Sequence, residues 1–256
     1  MWITETKKCF NVNVPGFRLY YNPSKLGNHR GGIIMLIKDK ICDFIKSIDM
    51  ETEGQIWIVL NFLVSYKLGG VYIPPDGSPY YQASDMGALA SHTRDTGNVL
   101  VMGDLNARVA APYLSNADGV PYVYSGVVDN TLNARGRSLI NMCDNNDMII
   151  ANHLQYGGNH LGGNLSFKRG DQWISELDLC LAKQECLSQI TELEIRQDIV
   201  GSDHAPLCVT MKLPTATCTS IEELKLRSSM LGQTYQNISS ETHKLDKSLA
   251  YKNIDL

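Results

Sequence analysis

Apolar residues in this chain fall in short runs bounded by Gly, Pro, Asn and Ser, the spacing of a mainly antiparallel sheet. Strand-like runs cover residues 2–6, 17–21, 31–37, 41–48, 56–60 and 67–73, the last stopped by Pro74-Pro75. Two segments change period. Met86, Leu89 and Ala90 share one stripe within residues 80–95, and Leu139, Ile140 and Cys143 share one within 135–144, so both segments are predicted helices. Further strands are predicted at 148–151, 190–199 and 207–213, and a Gly-, Pro-, Asn- and Ser-rich loop spans 112–131. Patterning alone supports an α/β or α+β fold.

The run Leu100-Val101-Met102-Gly103-Asp104-Leu105-Asn106 drives an apolar strand straight into a polar end. A carboxylate and a carboxamide two residues apart leave the same side of the strand, where together they hold a water or a hard cation. The same residues also read as an Asx-type turn. Near the other end, Asp203 and His204 are adjacent in a short polar loop between apolar strands. Between them lies Ser175-Glu176-Leu177-Asp178-Leu179-Cys180-Leu181, an alternating pattern with an acid inside it. Burying Asp178 unpaired would cost several kcal/mol, so a partner is required, and His204 is the candidate.

Taken in order, Gly103-Asp104-Leu105-Asn106, Ser175-x-x-Asp178 and Gly201-Ser202-Asp203-His204-Ala205-Pro206 resemble the endonuclease/exonuclease/phosphatase superfamily. Arg30-Gly31-Gly32, residues 69–75 and residues 135–139 are most similar to the endonuclease domains of non-LTR retrotransposons. The resemblance runs from Trp2 to Leu213. It implies a four-layer α/β sandwich, two mixed sheets face to face with helices outside, and hydrolysis of a DNA phosphodiester with Mg²⁺, or Mn²⁺ in its place. On the matching positions, Glu5 and Asp203 would hold the metal, and Asp104 would activate a water held by Asn106. His204, oriented by Asp178, would bind a phosphate oxygen or assist proton movement, and Tyr72 in Val-Tyr-x-Pro would hydrogen-bond the scissile phosphate. Ser166-Phe167 matches a pair that precedes a DNA-facing hairpin, which makes Ser166, Lys168 and Arg169 candidate DNA contacts. By their residue type alone, Lys168 and Arg169 read equally well as solvated hairpin charges, whereas His29 and Arg30, which could touch a phosphate backbone, read more often as a solvated loop.

The resembled domains have a further strand, bearing an asparagine, before the one that matches Trp2. The chain is therefore expected to be N-terminally truncated, with activity in question because two ladder edges would be exposed. Those domains are followed by a reverse transcriptase, and nothing resembling one occurs here. Two alternatives follow: a catalytically inactive remnant, or a phosphatase acting on a non-nucleic-acid phosphoester.

Composition sets the limits. With 256 residues, 43% hydrophobic and 20% charged, the chain can bury one sizeable core. Residues 1–213 are expected to form that domain and 214–256 a polar tail with one helix over 221–231. The apolar stretches at 33–37 and 56–64 are too short to span a bilayer, and no membrane partner is expected. Seven cysteines without a Cys-x-x-Cys pair argue against disulfides and zinc, and point to an intracellular protein, nuclear if it acts on chromosomal DNA. A net charge of −4 does not advertise a nucleic-acid binder, yet carboxylates that hold a metal would lower the total while attracting phosphate locally.

Overall fold

Runs that are apolar on both faces become the inner strands of one sheet, because such a strand must be covered on both sides. The computed structural model describes residues 1–4, 13–23, 31–79, 81–110, 122–156, 159–199, 201–213 and 223–224. In chain order the strands are β1 (Trp2–Thr4), β2 (Phe17–Asn22), β3 (Ile33–Lys38), β4 (Ile45–Asp49), β5 (Gln55–Asn61), β6 (Ser65–Tyr72), β7 (Asn98–Asp104), β8 (Tyr122–Tyr124), β9 (Met148–Ile150), β10 (Leu154–Tyr156), β11 (Asn159–His160), β12 (Phe167–Arg169), β13 (Gln172–Ser175), β14 (Asp178–Lys183), β15 (Ile190–Ile195), β16 (Leu207–Lys212) and β17 (Glu223–Leu224). The helices are α1 (Asp39–Cys42), α2 (Ala83–Thr93), α3 (Ala134–Asn145) and α4 (Gln184–Leu187).

The largest sheet has the order β4-β5-β6-β7-β14-β9, with β6 and β7 parallel and the other neighbours antiparallel. Alternation along its strands decides what packs on each side. Val71, Val99, Val101, Leu179 and Leu181 face α2 and α3, where Leu89, Leu139, Met142 and Cys143 close the core. The intervening positions Leu100, Met102, Cys180 and Ala182 face the other way, onto Ile190, Leu193, Val209 and Met211 of β15 and β16. Farther along that side, Ile56, Ile58 and Leu60 of β5 meet Ile33, Met35 and Ile37 around β3. Each fully buried side chain of this size contributes roughly 1.5–3 kcal/mol relative to exposure. Consecutive glycines in β6 make room for two tryptophans on opposite faces, Trp57 against Gly69 and Trp2 against Gly70.

The α/β sandwich follows the expectation, with differences in detail. The second layer is divided into β1-β3-β2 and β15-β16-β17, both antiparallel among the described strands, rather than one mixed sheet. The long helices α2 and α3 share one side, and α1 and α4 are single turns of four residues. The run at 41–48, expected as one strand, breaks into the end of α1 and then β4, because the Phe44 amide turns back to the Ile41 carbonyl at 3.0 Å. The strand expected to 199 stops at Ile195. There Arg196 pairs with Asp198, its Nε 2.8 Å from Oδ1, in a local turn. Residues 223–224, expected within a helix, instead add a two-residue strand to β16, so the sheet extends past Leu213.

Candidate active site

Three of the candidate residues stand in one row. In the parallel β6/β7 pair Tyr72 is in register with Asp104, and in the antiparallel β7/β14 pair Asp104 is in register with Asp178. Side chains on neighbouring strands in register leave the sheet on the same face, about 4.8 Å apart. That face is the one bearing Leu100, Met102 and Cys180, so the row points to the layer formed by β15 and β16. The loop between those two strands carries Asp203 and His204.

Gly103 makes the row achievable. Its φ is 153°, and a Cβ there would lie 1.9 Å from the Val71 carbonyl oxygen, so only glycine lets β7 approach β6 this closely just before Asp104. After the strand, Asn106 adopts a positive φ of 48° and folds back on Asp104. Its backbone N–H donates to Asp104 Oδ1 at 2.9 Å, and its Nδ2 donates to Oδ2 at 3.1 Å and to the Ile73 carbonyl at 3.0 Å. The Asx turn and the carboxylate–carboxamide pair are therefore one structure. Asp104 is buried, at 1% exposure, and its charge is carried by these donors.

His204 completes the site. Its Nδ1 lies 2.8 Å from Asp178 Oδ2, and its Nε2 lies 3.9 Å from Asp104 Oδ2. The first is a hydrogen bond; the second is too long for one. Burial works against a charged imidazole here. The hydrogen bond that Nδ1–H donates to Asp178 and the charges of Asp178, Asp104 and Asp203 outweigh it, and His204 is pushed up to about 9. At neutral pH the ring is an imidazolium between two carboxylates.

Ser166 and the first residues of β12 hold this loop in place. Ala205 N–H donates to the Ser166 carbonyl at 2.7 Å, Lys168 N–H donates to the Asp203 carbonyl at 2.8 Å, and the Phe167 ring lies 5.1 Å from the imidazole, tilted by 52°. Ser166, expected among the DNA contacts, is instead fully buried. Its hydroxyl accepts from the Leu177 and Asp178 amides at 2.9 and 3.0 Å, which places it behind Asp178. Lys168 is half-buried with its Nζ 5.5 Å from the Trp173 ring centroid, and Arg169 is exposed at the turn of the β12–β13 hairpin. Tyr72 is buried at the end of β6. The Asp203 side chain is exposed at the rim. Glu5, His29 and Arg30 lie outside the described residues.

Other polar residues that brace this end have no short motif. Asn133 caps α3 by accepting from the Gly136 amide at 2.6 Å, accepts from the Arg108 amide at 3.1 Å, and donates to the Asn106 carbonyl at 3.1 Å. The buried His153 and Glu176 side chains meet at 2.9 Å, and Asn152 joins Glu176 at 2.8 Å. Asp129 is paired with Arg108. Only the closeness of Arg108 to Asn106 in sequence could have drawn notice to any of these.

The donors suit a hard cation, since Asp104, Asp203 and the Asn106 amide offer oxygen. Among the described residues no three His, Cys, Asp or Glu side chains come together to enclose an ion by themselves.

Comparison with known proteins places this site in context. A family described as endonuclease-reverse transcriptase matches residues 66–208, more than half of the chain. Curated proteins give no match. Among solved structures, the endonuclease domain of TRAS1, a telomere-specific non-LTR retrotransposon, is 15% identical, with a TM-score of 0.52 over 79% of this chain and 83% of that one. The 3′ phosphatase NExo from Neisseria, bound to a product DNA hairpin, is 13% identical, with a TM-score of 0.59 over 83% and 88%. The AP endonuclease LMAP from Leishmania major is 13% identical, with a TM-score of 0.56 over 79% and 72%. At these identities the likeness establishes the fold. No helix among the described residues is long and apolar enough to cross a membrane.

Proposed function

The chain belongs to the endonuclease-reverse transcriptase family of the endonuclease/exonuclease/phosphatase superfamily, and from that premise we propose that it is a Mg²⁺-dependent phosphodiester hydrolase that nicks DNA. The observation that carries the reading is the 3.9 Å gap between His204 Nε2 and Asp104 Oδ2, with Asp178 fixing the imidazole from behind. A water beside this pair can accept from His204 Nε2 and donate to Asp104 Oδ2, bridging a fixed donor and a fixed acceptor that are too far apart to bond to each other.

Asp104 accepts the proton of the attacking water, which Asn106 orients. An imidazolium is a poor base and a good anion donor, so His204 binds a non-bridging oxygen and stabilises the charge that grows there. Tyr72, in the same row, donates its phenol to the phosphate. Asp203, with Glu5, would hold the metal, which supplies Lewis-acid stabilisation of the pentacovalent state and of the leaving oxygen. Lys168 and Arg169 contact the DNA backbone, and their few charges make binding weak and salt-sensitive on a chain of net charge −4.

The test is conversion of supercoiled plasmid to the open circle in Mg²⁺, with EDTA and Asp104→Asn as controls. Nicking that EDTA or the substitution abolishes supports the reading; nicking that survives both refutes the site. A second reading, 3′-phosphomonoester hydrolysis, draws on the fold shared with NExo and is tested on an oligonucleotide ending in a 3′ phosphate. Absence of turnover on both substrates in Mg²⁺ and Mn²⁺ would mark the chain as an inactive remnant.

A further inference from the structure

Asp129 lies in the segment between β8 and α3, in no motif, yet it is buried to 4% exposure and both its oxygens are saturated. Oδ2 accepts from Arg108 Nε at 2.8 Å and from the Glu176 amide at 3.0 Å. Oδ1 accepts from Arg108 Nη2 at 2.7 Å and from the Thr131 amide at 3.0 Å. Four donors use the full accepting capacity of a carboxylate, and the fork-on-fork pair with Arg108 fixes its plane.

Its partners lie on the two strand ends that carry the chemistry. Arg108 is two residues beyond Asn106, and Glu176 is two residues before Asp178. Beyond the last paired rung of β7 and β14, one backbone bond joins the segments, from the Leu105 amide to the Leu177 carbonyl at 3.1 Å. Arg108 also reaches the Ile174 carbonyl at 3.4 Å, at the return strand of the β12–β13 hairpin.

We propose that Asp129 is a positioning residue which, by clasping Arg108 on one side and the Glu176 amide on the other, holds Asn106 and Asp178 at their working separation across the site. Sheet pairing sets the register of Asp104 and Asp178 but does not reach Asn106 or the corner before β14, and the clasp closes that span. Burial alone would raise the Asp129 carboxyl. The Arg108 guanidinium and the two amides instead hold it below the ordinary carboxylate range, which keeps the clasp charged.

Two measurements test the clasp, and the first is independent of any activity. Amide hydrogen exchange is compared in the whole chain, unmutated and as Asp129→Asn, with Asp129→Ala as the stronger lesion. The clasp requires exchange about tenfold or more faster across residues 105–108 and 175–178, with β5 and β6 unchanged. Faster exchange confined to Thr131 and Glu176, the direct amide partners, would overturn it. If Asp129→Ala does not fold, Asp129→Asn decides alone, since it keeps the shape and one acceptor. The second measurement rests on the nuclease reading. Asp129→Asn should lower kcat for nicking by about 10- to 100-fold while KM for DNA stays within about threefold, as misplacement without lost contacts does. A raised KM with kcat retained would overturn the positioning role. An unmutated chain that does not nick would defeat the nuclease reading and leave the exchange result to decide the clasp.

Discussion

His204 points its Nδ1 at Asp178, 2.8 Å away, and this single hydrogen bond turns its Nε2 toward Asp104 on the neighbouring strand. An acid on β14 thus aims a ring from the other sheet layer at an acid on β7. The arrangement makes Asp178 and His204 one unit. Asp178→Asn should lower the nicking rate by two or more orders of magnitude without unfolding the chain, and adding His204→Ala should then cost little more. A double-mutant cycle reads this directly, and additive losses would mean that the pair does not act together.

A hard-cation site predicts stabilisation by mass action. Millimolar Mg²⁺ should raise the melting temperature, and Asp203→Asn and Glu5→Gln should each reduce the increment. A flat melting temperature across the Mg²⁺ titration of the unmutated chain would remove the proposed ligand set.

Two glycines should respond with opposite signs. A Cβ at Gly136 would lie 1.9 Å from the Arg108 carbonyl oxygen, backbone that cannot yield, whereas a Cβ at Gly87 in α2 meets nothing within 4 Å. Gly136→Ala should therefore destabilise by about 2–3 kcal/mol or more, and Gly87→Ala should stabilise by roughly 1 kcal/mol through helix propensity. Urea unfolding of both variants checks the pair, and a tolerated Gly136→Ala would show that α3 does not press on the Asn106 loop as closely as described.

Away from the site, His92 stacks on Trp57 with centroids 4.4 Å apart. Burial and then the Lys67 ammonium lower its pKa below the ordinary 6.5, against the opposing charges of Asp49, Asp95 and Glu51. A depressed histidine contributes stability above 6.5 that is lost as pH falls through the lowered value. Stability measured from pH 7 down to pH 5 should thus decline more steeply in the unmutated chain than in His92→Asn. Equal slopes would show that the stacked imidazole does not resist protonation.

Much of the site was legible before any contact was known. Asp104, Asn106, Asp178 and His204 are polar groups at the ends of apolar runs or inside them, and burying a charge demands a partner, so sequence alone called for the Asp178 and His204 pair. Strand periodicity also determined which residues share a face, Leu100 and Met102 with Asp104 and Val99 with Val101, while only the tertiary structure put the helices over the valines. What periodicity cannot set is register between strands distant in the chain. The row of Tyr72, Asp104 and Asp178 exists because β6, β7 and β14 pair in one register, and a slip of one residue would have sent one of them to the opposite face. The same limit applies to burial of polar residues. Ser166 resembled a surface contact and Asp129 an ordinary loop acid, since the Leu177, Asp178 and Glu176 amides and the Arg108 guanidinium that reach them lie far off in sequence, and the Thr131 amide by itself reads as an ordinary turn. Hydrogen-bond saturation is a property of the three-dimensional neighbourhood, so only the tertiary structure could decide that one of these residues stands behind Asp178 and the other behind both strand ends.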